Sequence, residues 1–165
     1  MEFAQGATLI AATIAMGHMA GLFYSFSNAV MPGLGRGDDR TFVAGFQGID
    51  RAIINPLFLL GFAGAPLLTG VAVLLQAGED DRGVLYWAVA AFVCYFVVIA
   101  ITRSVHLPLN AELQAVGDPD QVADLASVRQ RFEARWVRWN VVRAVANTAA
   151  FGCLVWALVL FGRGQ

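Results

Sequence analysis

Four stretches of this 165-residue chain, at about 5–31, 54–77, 84–106 and 140–162, are apolar over the length of about 20 residues that a helix needs to cross a bilayer core. In hydrocarbon every backbone N–H and C=O has to be satisfied within its own segment, so runs of this length fold as helices. The four together nearly exhaust the sequence, and the expectation is a single transmembrane domain over residues 1–165. A mean hydropathy of +0.64 and only 14% charged residues, against about 25% in an ordinary soluble domain, agree with it. The first run reads as a retained span: Met1 and Glu2 lack the basic start of a secretory leader, and the apolar stretch is too long for one.

Short connections place sequential helices side by side, so the expected fold is all-α, an integral membrane four-helix bundle running up-down-up-down. All eleven basic residues are Arg. Arg36, Arg40 and Arg51 lie between spans one and two, and Arg129, Arg131, Arg135 and Arg138 between spans three and four, whereas the opposite side holds Arg82 and Arg163. The positive-inside rule then puts both longer loops in the cytoplasm and both termini outside an inner membrane. Phe42, Phe46, Ile49 and Ile53 recur at helical spacing within 41–54 and predict a short amphipathic helix at the cytoplasmic interface. Asp118-Pro119 is a helix-start pair, so the fourth helix is expected to begin near 119 and, with the third, to extend into the cytoplasm. Residues 78–83 form a short acidic turn on the outer side. Gly17 and Gly21 make a GxxxG step, read first as close packing within the bundle and second as a dimer face.

A net charge of -1 gives no electrostatic pull toward nucleic acid. Cys94 and Cys153 stand alone in apolar runs, which supports neither a CxxC redox centre nor a disulfide framework. No HExxH, Walker loop or GxSxG is present, and no acidic pair lies deep in a span.

The polar residues inside the spans carry the functional signal, because such groups are costly in a membrane and mark sites that face the bundle interior. His18, Ser25, Ser27 and Asn28 fall in the first span. Arg103, His106 and Asn110 follow at spacings of three and four at the end of the third. Trp136, Asn140, Arg143 and Asn147 form a stripe on the fourth, continued by Arg129 and Glu133, and Asn55 opens the second. All lie toward the cytoplasmic ends, which predicts a polar pocket opening inward. Each has a plainer reading: Asn55 before Pro56 is a helix cap, His18 a satisfied interhelical hydrogen bond, Trp136 and Trp139 an interfacial aromatic pair, and Pro108 an ordinary bend. An imidazole base, amide and guanidinium donors, and walls from Phe23, Tyr24, Phe26 and Trp136 suit proton abstraction from a flat apolar molecule. His18 with His106 is an alternative pair of ligands for copper or haem, although metal sites ordinarily use three or four ligands.

The segments GHMAGLFYSFSNAVMPGL, FQGIDRAIINPLF, HLPLNAEL and WVRWNVVRAVAN, in this order on four apolar spans, resemble the anthrone oxygenase family of small membrane proteins. The most specific features are Ser27-Asn28 before Met31-Pro32, Asn55-Pro56, the Pro-Leu-Asn at 108–110, and the Trp136, Asn140, Arg143 stripe. A departure is His106, where the family often has Asn. The resemblance implies oxidation of an anthrone-like aromatic polyketide by molecular oxygen, with no obligatory cofactor. His18 would then be the base, and Asn140 and Arg143 would stabilise the enolate. Ser25, Asn28, Asn55, His106, Asn110, Trp136 and Asn147 would contact substrate. The competing expectations are a membrane binding or transport protein for an apolar metabolite, working as a homo-oligomer, and a structural accessory subunit.

Overall fold

The computed structural model describes residues 1–79 and 82–164, and every regular element among them is helical. Four helices are long and apolar enough to span a membrane: α1 (Glu2–Gly35), α3 (Pro56–Gln76), α4 (Gly83–Ala115) and α5 (Leu125–Arg163). A fifth, α2 (Asp39–Ile53), joins α1 to α3. The chain is therefore a helical membrane protein. Asp80 and Asp81 of the acidic turn lie outside the described residues.

Local sequence sets the helix ends. Asp38 accepts a hydrogen bond from the Thr41 N–H at 2.7 Å and caps α2. Asn55 caps α3 through the Phe58 N–H at 3.0 Å, with Pro56 in the first position, where a missing N–H costs nothing. The start expected at Asp118-Pro119 is instead a single 3-10 turn (Pro119–Gln121). The long helix begins six residues later, where Asp124 caps it through the Ser127 N–H. Gly117, at φ +77°, turns the chain out of α4 in a conformation that favours glycine.

The spanning helices pack as a ring, α1 on α3 and α5, and α4 on α3 and α5. Gly6 and Gly17 of α1 lie against Phe161 and Phe151 of α5, Gly61 of α3 against Met19, and Tyr95 of α4 donates to the Phe62 carbonyl. Leu9, Ala12, Met16, Ala65, Ala72, Val84, Ala91, Leu154 and Ala157 fill this part of the bundle. In the GxxxG step, a Cβ on Gly17 would sit 3.0 Å from the Phe151 ring, whereas Gly21 faces open space.

A separate aromatic core holds the opposite end together. Phe42 and Phe46 of α2 pack on Phe132 and Trp136 of α5 and on Met31 of α1. Arg129 donates to the carbonyls of Gly35 and Gly37, pairs with Glu133 and Asp39, and covers the Phe42 ring. Arg129 and Glu133, read from spacing as part of the polar stripe, thus clamp the α1–α2 turn onto α5.

Two helices depart from α geometry at matching places. A π-helical turn occupies Phe26–Val30 in α1 and another Thr102–His106 in α4, each ending two residues before a proline, Pro32 and Pro108. A proline removes one donor from the ladder, and the wider turn takes up the change where a plain bend was expected. Such turns often mark functional positions.

Candidate functional site

Between the two cores lies a cavity of about 300 Å³ to which all five helices contribute. Its walls are aromatic: Phe23 and Phe26 from α1, Phe46 from α2, Phe58 and Phe62 from α3, and Trp136 from α5. Its polar groups are Thr102, His106 and Asn110 of α4, Arg143 of α5 and Asp50 of α2. The mouth is edged by Ile54, Leu59 and Leu107, all exposed. An inward-opening polar pocket was expected; the observed space is mainly aromatic, with polar groups on one side and an apolar rim.

His106 is 2% exposed. The π turn swings it inward while Arg103, three residues earlier, stays exposed. Its ring stands edge-on to Trp136, with centroids 5.0 Å apart and planes at 86°. The carbonyls of Ile101 and Trp136 come near, yet neither ring nitrogen closes a hydrogen bond of ordinary geometry. A buried imidazole in this condition is uncommon, because buried polar atoms nearly always find partners.

Arg143 is 7% exposed, and among the described residues no carboxylate pairs with it. It is held by neutral groups. Nη2 donates to Asn140 Oδ1 at 2.7 Å, Nη1 donates to Thr102 Oγ1 at 3.2 Å, and the guanidinium lies 4.1 Å from the centroid of the Phe23 ring. Its Nε has no partner.

Asn140 is fully buried and faces away from the cavity. Its amide donates to the Phe23 carbonyl at 3.1 Å and Ser27 Oγ at 2.8 Å, while its oxygen accepts from Arg143. Its geometry is that of a group that positions Arg143. Asn147, two turns further along, is also fully buried, and both its amide atoms lack partners among the described residues; it does not line the cavity.

Trp136, only 3% exposed, is a wall of the cavity rather than an interfacial residue. Its Nε1 donates to Asn110 Oδ1 at 2.9 Å, and Asn110 Nδ2 donates to Asp50 Oδ1 at 2.6 Å. Gln114 donates to the second Asp50 oxygen at 2.9 Å and accepts from Arg51. Asp50, Gln114 and Thr102 were not singled out from the sequence. Asp50 lies within FQGIDRAII, which the sequence marks only by its apolar stripe.

Other expected site residues lie elsewhere. Ser25 and Asn28 are exposed, with the Ser25 hydroxyl donating to the Gly21 carbonyl. Tyr24 is 59% exposed and forms no wall. Asn55 is the α3 cap, with its amide on the Ala52 carbonyl. His18 is exposed on α1 and lines a different hollow, between α1 and α3. The face of α1 that turns inward carries Met16, Met19, Ala20 and Phe23. The two histidines therefore line different hollows.

A family model described as anthrone oxygenase matches residues 55–153, more than half of the chain. The chain belongs to the anthrone oxygenase family. The matched segment runs from the Asn55 cap through α3 and α4 into α5 and includes His106, Asn110, Trp136, Asn140, Arg143 and Asn147. Phe23, Phe26, Phe46 and Asp50 of the cavity lie outside the part matched to the anthrone oxygenase model. No curated protein and no solved structure matches the chain.

Proposed function

We propose that the chain is a membrane oxygenase that converts an anthrone-like methylene, flanked by aromatic rings and acidified by a ketone, to a carbonyl with molecular oxygen. The observation that carries this reading is a buried imidazole without hydrogen-bond partners, sharing an aromatic-walled cavity with a guanidinium that has no counter-ion, both among the described residues. An uncharged base and a fixed cation in a water-poor space suit formation of an enolate. The volume, about 300 Å³, lies at the small end of the range of about 300–1,000 Å³ for ligand pockets. Membership of the anthrone oxygenase family supports the same reaction class.

In the proposed sequence the planar substrate stacks on Trp136 with its ketone oxygen toward Arg143. A ring nitrogen of His106 takes one methylene proton, and the negative charge moves to the ketone oxygen, where Arg143 holds it. The enolate carbon forms a C–O bond with O₂, and the resulting peroxide takes the proton back from His106. Loss of the second hydrogen from the same carbon breaks the O–O bond and leaves a second carbonyl and one water. One O₂ is consumed for each CH₂ converted to C=O. Both oxidising equivalents come from O₂, so the scheme uses no cofactor of its own. His106 thus takes the role that the resemblance gave to His18, and Asn140 acts through Arg143.

The Arg-rich connections favour an orientation with the α2 end of the bundle on the cytoplasmic side of an inner membrane, α2 at the interface, both termini outside and the spans alternating in direction. Oxygen uptake by the purified protein with a simple anthrone tests the chemistry. His106→Phe should lose about 10²–10⁴-fold in turnover, the usual contribution of a positioned base, while His18→Phe retains the quinone-forming step, and a chelator leaves uptake unchanged. Full turnover by His106→Phe refutes the assignment.

A further inference from the structure

The hollow that holds His18 is larger than the cavity, at about 760 Å³, and lies between α1 and α3. Its floor is made of small residues, Ala11, Ala15, Gly61 and Gly64. His18 adds an exposed imidazole there, within an apolar spanning helix, that meets no hydrogen-bonding partner among the described residues. A polar side chain facing hydrocarbon is costly and is rare unless it serves a ligand or a pathway. The hollow also adjoins the candidate site, because Ile53 and Phe58 line both spaces and form their common wall. That wall stands where α2 ends and the chain breaks before Pro56, so it is built from a junction of helices and not from the middle of one.

We infer that this hollow is a waiting site, in which a lipid-dissolved planar aromatic molecule sets a phenolic hydroxyl or ketone against His18 before passing between Ile53 and Phe58 into the His106 cavity. The inference rests on the oxygenase reading for the identity of the molecule. It assigns His18 a binding role that needs no proton transfer, and it explains why a polar residue stands on the lipid side of α1. The small floor residues leave a shelf for a flat ring, and the single imidazole supplies one hydrogen bond to its oxygen edge.

The test uses 1,8-dihydroxyanthraquinone, a product-like probe that cannot be oxidised further at the ring methylene, titrated onto the full-length protein in lipid nanodiscs against empty discs. The expected result is two probe molecules per chain for the unaltered protein. One should remain in His18→Leu and one in Gly64→Leu, where a Cβ meets nothing within 4 Å and a leucine fills the shelf without disturbing the fold. Arg143→Met should keep the outer molecule and lose the inner one. Uptake of oxygen with an anthrone should lose about tenfold in kcat/KM in Gly64→Leu, corresponding to about 1.4 kcal/mol. One probe per chain in the unaltered protein, or two that persist in both hollow variants, overturns the inference. Two-site binding without oxygen uptake would sink the oxygenase reading and leave the site standing, whereas uptake with one-site binding would do the reverse.

Discussion

Arg143→Met separates what the guanidinium does for the site from what it does for the fold. Burying a cation costs several kcal/mol after relaxation. Arg143 recovers about 1.5–3 kcal/mol from its charged hydrogen bond to Asn140, less from the longer contact to Thr102, and about 2 kcal/mol from the desolvated face of Phe23. These gains roughly offset the cost. A methionine of similar reach removes both sides of the balance, leaves the Asn140 bonds to Phe23 and Ser27 in place, and orphans a single amide oxygen. The expected change in stability is within about 2 kcal/mol, or roughly 4–8 °C at about 2–4 °C per kcal/mol for a chain of this size. Turnover should fall about 10²–10³-fold, the usual cost of losing one donor to a developing oxyanion. Thermal unfolding in detergent alongside oxygen uptake measures both. Turnover within about twofold of the parent, or a variant that no longer folds, refutes the view that Arg143 is retained for chemistry rather than for the fold.

Asp50→Leu should raise KM for a planar substrate and shift the Trp136 fluorescence, because it removes the acceptor that fixes Asn110 and, through it, the indole. Asp50→Asn, which keeps an oxygen for Asn110, should restore most of both readouts. Gly17→Val should destabilise by about 1–3 kcal/mol through overpacking against Phe151, whereas Gly21→Val, facing open space, should leave the melting temperature unchanged. Acidification should loosen the connections at this end. Asp38, Asp120 and Asp124 are held below the ordinary carboxylate range by hydrogen bonds from Thr41, Arg40 and Ser127 respectively. A folded value below the unfolded one means stability that is present at neutral pH and lost as the pH falls through the lowered values. Limited proteolysis at residues 36–41 and 118–124 should accelerate below the ordinary carboxylate range and not above it.

The four spans were legible because hydropathy reports burial in lipid regardless of how helices turn. The polar stripe of α5 was legible too, since Trp136, Asn140, Arg143 and Asn147 sit on uninterrupted α geometry and are all buried. α1 was misread for a physical reason. Ser27 and Asn28 lie in a π turn, so a uniform 100° step does not carry across them, and nothing in the local sequence says which side of α1 meets α5. His18 and Ser25, seven residues apart, do share a face of α1, but it points outward, while Phe23 and Ser27 supply the contacts to Asn140. His106 presents the same difficulty in reverse: the π turn before Pro108 buries it and leaves Arg103 outside, although their spacing of three suggested one face. Asp50 was missed because its neighbours, Asn110 and Gln114 with Trp136 beyond them, lie sixty residues and more away in the chain.

The cavity occupies only the end of the bundle nearest α2, while Leu9, Ala12, Ala72, Val84, Leu154 and Ala157 pack closely at the other. Its rim of Ile54, Leu59 and Leu107 is apolar and exposed. Whichever way the chain is inserted, a guest that arrives through that rim comes from one leaflet and leaves into the same one. On the proposed oxygenase reading, such a protein would modify a dissolved molecule without carrying it across the bilayer, and the sidedness of its supply would fix the sidedness of its product.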